Sequence, residues 1–167
     1  VENLYEKLNK KGIQLIVRPH GANSEQFENI NKKIKLIPES GELPDTNKSK
    51  ELMVETIRYS DFTVGINTTA MIDSVILGTP CIAIVKEEFS LNQTLTPHFN
   101  KVLKQDIFIK ISDEKNIINK INNFNETEKF LITNKMNEFV INFCRPHGLN
   151  VPAGKKAYDE INSIINN

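Results

Sequence analysis

The chain has 167 residues, and its 21 Lys plus Arg balance 21 Asp plus Glu, so its formal net charge is zero. That length suits a single domain with its own core, residues 1–167, and the absence of a basic excess argues against nucleic-acid binding. The longest apolar run, residues 81–85, is far short of the roughly 20 residues of a membrane span. Neither a signal peptide pattern nor a disulfide or metal-ligand spacing at Cys81 and Cys144 is present, which fits a cytoplasmic, reducing compartment.

The first 59 residues predict alternating helices and strands. Apolar residues recur at helical spacing in some stretches and form short buried runs in others. In chain order these are a helix over residues 2–11, a strand over 13–17, a helix over 24–33, a strand over 34–37 and a helix over 48–59. A polar loop over residues 39–47 separates the last two elements.

The most informative stretch, residues 60–85, predicts a strand, a polar turn, a helix, a tight turn and a second strand. The strand over residues 62–66 stops at Asn67-Thr68-Thr69, and the helix that follows carries Asp73 one turn later. Backbone N–H groups at a helix start favour anions, and ligands of open α/β sheets collect at the carboxyl ends of strands. This turn therefore predicts a phosphate or sugar site. The alternative is a helix cap, in which a Thr hydroxyl accepts a backbone N–H bond.

Beyond residue 85 the chain predicts one more strand and three helices. Residues 86–105 are polar and indicate no clear element. The others, in chain order, are a strand over residues 107–111 and helices over 113–124, 127–143 and 153–165. Strands that alternate with helices favour βαβ units. We therefore predict an α/β fold with a Rossmann-like parallel sheet of about five strands, flanked by helices.

Two histidines are candidates for catalysis. Pro19 keeps Arg18 extended, so that Arg18 and His20 follow a strand end at the ligand edge of the sheet. An imidazole there can accept or donate a proton near neutral pH, and a guanidinium can bind a phosphate as a planar fork. His98, in the polar stretch after the strand over residues 81–85, could reach the same crevice. A solvated loop histidine is the alternative for both His20 and His98.

Asp73 is a candidate ligand of a ribose. It lies four residues after Thr69, so one helical face can carry both, and a carboxylate can accept hydrogen bonds from two neighbouring hydroxyls. The alternative is a solvated residue favoured by the helix dipole. The chain has no P-loop, no Gly-x-Gly-x-x-Gly and no Asp-x-Asp, which argues against classical dinucleotide binding, nucleotide hydrolysis and metal-dependent transfer. We expect neither a bound metal nor a cofactor.

With these motifs assembled, the chain resembles the C-terminal half of bacterial two-domain glycosyltransferases of the GT-B type. It is most similar to capsule and surface polysaccharide biosynthesis proteins and to CDP-glycerol glycerophosphotransferases. The motifs that carry the resemblance are Arg18-Pro19-His20-Gly21, Asn67-Thr68-Thr69, Asp73-Ser74, Gly78-Thr79-Pro80 and His98-Phe99. Asp73 stands where the family has Glu, and Gly21 stands where it has Pro.

The resemblance implies a domain that binds a nucleotide-activated sugar or glycerol as the donor substrate, without a tightly held metal. Thr68 and Thr69 would hold the donor phosphates together with Arg18 and Asn67, and Asp73 would hold the ribose. His20 and His98 would act on the phosphate or the transferred group. Because the chain starts at Val1 without an initiator Met, we expect it to belong to a longer protein whose N-terminal domain binds the acceptor. Other segments of that protein would bring it to the inner face of the membrane.

Two other interpretations remain open from the sequence. One is an isomerase of the same architecture, similar to UDP-N-acetylglucosamine 2-epimerases. That group favours a Ser-Gly-Gly turn and a Glu-Glu pair, which residues 67–74 do not supply. The other is a Rossmann-like binding module without catalytic activity, in which the Thr-Thr turn only caps a helix.

Overall fold

The computed structural model describes residues 1–20, 27, 30, 33–38, 43 and 45–166. In these residues the chain forms seven α-helices, namely α1 (Glu2–Asn9), α2 (Asn47–Arg58), α3 (Ala70–Leu77), α4 (Pro97–Leu103), α5 (Ile117–Asn123), α6 (Glu126–Phe139) and α7 (Ala153–Ile165). It also forms five short strands, namely β1 (Ile16–Val17), β2 (Lys35–Leu36), β3 (Thr63–Gly65), β4 (Cys81–Ile84) and β5 (Ile109–Ile111). The predicted α/β class is therefore confirmed.

The strands pair in parallel but belong to two separate sheets in the described part of the chain. β1 pairs with β2, and the other sheet has the order β3-β4-β5 with β4 in the centre. The observed sheets thus have two and three strands, where the sequence predicted a single sheet of about five. Because β3, β4 and β5 run in the same direction, their carboxyl ends share one edge.

The core is built around β4, whose side chains alternate between the two faces of the sheet. Cys81 and Ala83 point into a cluster with residues of α3, α4 and α6, while Ile82 packs against β5 and α5 on the other face. All three side chains are fully buried. A parallel strand covered by helices on both faces needs such an uninterrupted apolar run.

Local sequence signals explain several of the element ends. α2 begins after Thr46, which forms a capping box with Ser49: the Thr46 hydroxyl accepts the Ser49 N–H and the Ser49 hydroxyl accepts the Thr46 N–H, both at 3.1 Å. α3 ends at Gly78, whose φ of 80° is left-handed. The chain continues past α6 in a π-helical turn, Val140–Cys144, which extends one residue beyond the helix predicted over residues 127–143.

The stretch over residues 86–105, for which the sequence predicted no clear element, contains two helical segments. It contains a 3-10 helix, Glu87–Asn92, followed by α4, which begins at Pro97. Proline is favoured at the first helical position because its ring fixes a helical φ and no N–H bond is lost there. Most of the predicted helix over residues 24–33 and much of the predicted loop over 39–47 lie outside the described residues. Among the residues described, no helix is both long enough and apolar enough to cross a membrane.

Candidate functional site

The candidate site lies at the end of β3, where the first turn of α3 packs closely against the last residue of the strand, Gly65. Met71, in the first turn of α3, is 2 % exposed. A Cβ atom on Gly65 would lie 2.7 Å from both Cγ and Sδ of Met71. The glycine therefore makes room for α3 to approach the last residue of β3.

The turn between β3 and α3, residues 66–69, is called the β3 turn, and several of its polar groups have no partner among the residues that the structure describes. The Thr68 hydroxyl accepts the Ala70 N–H at 3.4 Å, which is a long and weak bond. The exposed Thr69 makes no side-chain capping bond. The N–H groups of Thr68 and Thr69 donate to none of the residues that the structure describes. Helix capping thus accounts for the Thr68 hydroxyl and leaves two N–H groups and the Thr69 hydroxyl available to an anion.

Asp73 lies in the first turn of α3, shortly after the two threonines that precede this helix. Its side chain is half-buried, and within the described residues it has no hydrogen bond or ion pair. Burial raises the pKa of the Asp73 carboxyl above its ordinary value. This carboxyl has lost part of its hydration without gaining a protein donor, so its oxygens can accept hydrogen bonds from a ligand.

Asn67 and Gln93 tie this turn to the 3-10 helix through two reciprocal side-chain bonds, which we call the amide clasp. The Asn67 side chain donates to the carbonyl of Asn92. The Gln93 side chain donates to the carbonyl of Ile66 at 2.7 Å. Part of the hydrogen-bonding capacity of Asn67, predicted as a phosphate ligand, is therefore used within the chain.

Gln93 is the residue of the site region that the sequence analysis missed. Its side chain is fully buried and also donates to the carbonyl of Ile84 at 2.7 Å, while its oxygen accepts the Lys86 N–H at 3.4 Å. A glutamine in a polar stretch gives no periodic signal of burial. Its role follows from the carbonyl groups at the strand ends, which only the fold brings together.

A buried polar chain holds the first turn of α3 against the sheet. The Thr63 hydroxyl donates to the Ser74 hydroxyl at 2.8 Å, and Ser74 donates in turn to the Ala70 carbonyl at 2.9 Å. Cys81 lies beside Thr63, and burial raises the pKa of its thiol to about 11 although a hydrogen bond with Thr63 lowers it in part. Ser74, adjacent to Asp73 in the motif, is therefore bound into the protein interior.

Arg18 follows β1 and carries an unsatisfied buried group. Its side chain is half-buried, and its Nη1 atom is buried without a hydrogen-bond partner in the described part of the chain. Burial lowers the pKa of this guanidinium. Pro19 is buried and His20 is exposed, while Gly21 of the same motif lies outside the described residues. The end of β1 belongs to a different sheet from the β3 turn, and no strand pairing among the described residues joins the two.

His98 occupies a different setting from the one predicted. It is the second residue of α4, not part of an irregular loop, and its side chain is exposed. Phe99 anchors this helix in the core, where its ring stacks on Phe108 with centroids 6.4 Å apart. The segment that follows the amide clasp leads directly into α4, so the clasp connects the β3 turn to the backbone that carries His98.

Two surface grooves lie away from these residues. One, of about 290 Å³, lies between β5, α5 and α6 and contains Lys110, Lys120 and Lys135. The other, of about 210 Å³, lies beside α1 and contains Tyr5 and Lys35. None of the predicted site residues lines either groove. Within the described ranges, no group of three or more His, Cys, Asp or Glu side chains is placed to hold a metal ion.

The chain matches no protein-family model, no curated protein and no solved structure. Its resemblance to GT-B glycosyltransferases therefore remains a prediction made from short motifs. Among the described residues, the unpartnered polar groups at the β3 turn and the buried guanidinium of Arg18 bear on its function.

Proposed function

We propose that this chain is the donor-binding domain of a metal-independent glycosyltransferase or glycerophosphotransferase of the GT-B type. It would act in the biosynthesis of bacterial surface polysaccharides, at the cytoplasmic face of the membrane. The observation that carries the proposal is the β3 turn at the carboxyl end of a parallel strand, where two N–H groups and one hydroxyl have no partner among the residues that the structure describes. The proposal also takes β1 and β2 to extend β3-β4-β5 into one Rossmann-like sheet.

The donor diphosphate binds at this turn in the proposal. The N–H groups of Thr68 and Thr69, together with the Thr69 hydroxyl, donate to the phosphate oxygens. The positive end of the α3 dipole favours the same charge. These donors are fixed before the ligand arrives, so they stabilise the diphosphate as it leaves the transferred group without the help of a metal ion.

Asp73 and Arg18 support the same assignment, because each carries a polar group that has no partner in the described part of the chain. A ribose diol would donate two hydrogen bonds to the Asp73 carboxylate and replace the hydration that burial has removed. A phosphate would satisfy the buried Nη1 of Arg18, since charge-assisted bonds of a guanidinium to phosphate are strong and directional. His20 and His98, which are exposed, would meet the transferred group. The acceptor would be bound by a separate domain.

Thermal denaturation with UDP, CDP, GDP, ADP and CMP tests the proposal directly. A ligand that binds only the folded state at about 100 times its dissociation constant adds roughly 2.7 kcal/mol to stability. We expect one nucleoside diphosphate to raise the melting temperature of the wild-type chain, and the Thr69→Ala variant to lose most of this increase. Thr127→Ala, which changes an exposed threonine at the start of α6, is the matched control and should keep it.

The outcomes separate the proposal from its alternatives. If no nucleotide stabilises the folded chain, the donor-binding role fails and the β3 turn is only a helix start. If a nucleotide stabilises wild type and Thr69→Ala equally, the ligand binds elsewhere and the β3 turn is not the phosphate site.

A further inference from the structure

We propose that Gln93 is a positioning residue for the phosphate-binding turn: its side-chain amide sets where Thr68 and Thr69 stand and thereby sets the affinity for the donor. Gln93 does not touch the ligand, since it is fully buried beneath the turn. The inference rests on the proposed function and adds the element of the fold that holds the site open and in place.

The amide lies at the point where the β3–β4 ladder ends. The last paired residues of the two strands are Gly65 and Ala83. The next pair in register would be Ile66 and Ile84, and both of their carbonyl groups accept from Gln93 Nε2 at 2.7 Å. One side-chain amide thus takes the place of the next backbone pair of the sheet and lies between the two strand ends. Parallel α/β sheets bind their ligands at this edge.

The position of this amide is strongly determined. Its two N–H groups are used by the two carbonyls, and its oxygen accepts the Lys86 N–H at 3.4 Å. A buried amide that lost these partners would keep its desolvation cost without compensation. Asn67 contributes the second half of the amide clasp by donating to the Asn92 carbonyl.

The buried Gln93 amide affects both parts of the candidate site, the β3 turn and the segment that leads to His98. Thr68 is two residues after Ile66, so the orientation of the Ile66 carbonyl constrains the peptide groups that present the N–H donors of the turn. On the other side, the Thr96 hydroxyl donates to the Gln93 carbonyl at 2.8 Å, which fixes the backbone leading to His98. A displaced Gln93 side chain would move the donors at the β3 turn and loosen the approach to α4.

The experiment combines nucleotide titration with the amide chemical shifts of the free protein. Gln93→Met keeps the length of the side chain and removes its N–H donors. We expect its dissociation constant for the stabilising nucleoside diphosphate to rise about tenfold, the equivalent of one misaligned hydrogen bond to a charged group. The Thr68 and Thr69 amide signals should shift before any ligand is added. Gln105→Met, at an exposed glutamine of the chain, is the matched control and should change neither quantity.

A second variant gives a readout that a purely structural role would not produce. Gln93→Glu keeps an acceptor for the Lys86 N–H, but its carboxylate would face two carbonyl oxygens. Burial raises the pKa of such a carboxyl, and the protonated form regains one O–H donor. Relative to wild type at the same pH, its affinity should therefore recover as the pH is lowered, whereas Gln93→Met should stay weak throughout.

Unchanged Thr68 and Thr69 signals together with an unchanged dissociation constant in a folded Gln93→Met variant would overturn the inference. If that variant does not fold, Gln93→Asn replaces it, since one methylene less prevents the amide from reaching both carbonyls. If wild type binds no nucleotide, the proposed function fails, and the amide signals alone still decide whether Gln93 positions the turn.

Discussion

Met71 packs over Gly65 so closely that a Cβ on the glycine would lie 2.7 Å from the Met71 Cγ and Sδ atoms. This contact joins the first turn of α3 to the last residue of β3 and thereby defines the geometry of the β3 turn. The glycine is required by this approach, since its φ lies outside the left-handed range. In the sequence, Gly65 is only one residue of the strand predicted over residues 62–66.

We expect Gly65→Ala to lower the free energy of unfolding by about 1–3 kcal/mol, the usual cost of overpacking a core. Met71 is 2 % exposed, so it has little room to withdraw. Urea denaturation measures the change. Gly154→Ala, on α7, is the matched control and should be neutral or stabilising, because a Cβ at this position would have nothing within 4 Å. Equal stability of Gly65→Ala and wild type would show that Met71 can shift at no cost.

Gly78→Ala should destabilise for a different reason. Gly78 has a φ of 80° at the end of α3, and a Cβ there would meet nothing within 4 Å. The cost is therefore backbone strain alone, about 1–2 kcal/mol for a residue with a Cβ in the left-handed region. Gly78→Asn should cost less, since asparagine tolerates this conformation best among residues with a side chain. A higher denaturation midpoint for Gly78→Ala than for Gly78→Asn would contradict this account.

Much of the fold was predictable because its signals are local and periodic. α7 was predicted over residues 153–165 and is observed at Ala153–Ile165, since its apolar residues recur at helical spacing. β1 was predicted over residues 13–17 and is observed only at Ile16–Val17. An apolar run predicts burial, but the length of a strand depends on how far its partner follows it, and β2 pairs with only these two residues.

The candidate site was predictable in part for the same reason. Thr68, Thr69 and Asp73 are contiguous with a strand end and a helix start, so their proximity follows from local structure. Gln93 was missed because its burial depends on the carbonyls of Ile66 and Ile84, which come from different strands. The Asn67 side chain likewise donates to the Asn92 carbonyl, 25 residues further along the sequence, and local sequence patterns do not predict such a contact.

The two cysteines should differ in their reaction with thiol reagents. Cys81 is fully buried with a pKa of about 11, so at pH 8 only about one thiol in a thousand is the reactive thiolate. Cys144 is half-buried, and burial raises the pKa of its thiol while Arg145 lowers it in part. In the folded protein we expect a disulfide-exchange reagent to modify Cys144 first and Cys81 only at the rate of unfolding. The Cys144→Ser variant gives the reaction rate of Cys81 alone. Equal reaction rates of Cys81 and Cys144 would contradict this expectation.

Burial of the Cys81 thiol also makes stability depend on alkaline pH. The folded pKa of Cys81 is raised to about 11 from the ordinary value of 9.0, so the protonated thiol is favoured in the folded state. Its contribution is fully present below pH 9 and is lost as the pH rises through the folded pKa. Cys81→Ala should flatten the decline in melting temperature over this range, relative to wild type, and Cys144→Ala should flatten it less. An unchanged decline in Cys81→Ala would assign it to other groups.

Asp73 should show opposite effects on stability and on ligand binding. Because burial raises the pKa of its carboxyl, the folded state favours the protonated form, and stability falls as the pH rises from the ordinary carboxyl range through the raised pKa. Asp73→Asn removes the buried charge, so at neutral pH it should be at least as stable as wild type. The amide offers the ribose diol one acceptor in place of a carboxylate, so the dissociation constant of the nucleotide should rise about tenfold.

Asp61→Asn is the matched control for this trade-off, because Asp61 is exposed and lies just before β3. It should leave the affinity for the nucleotide unchanged. A lower stability of Asp73→Asn at neutral pH would mean that the carboxylate has a stabilising partner within the folded protein. An unchanged affinity in a variant that keeps its stability would remove Asp73 from the ligand site and leave the threonine turn as the whole of it.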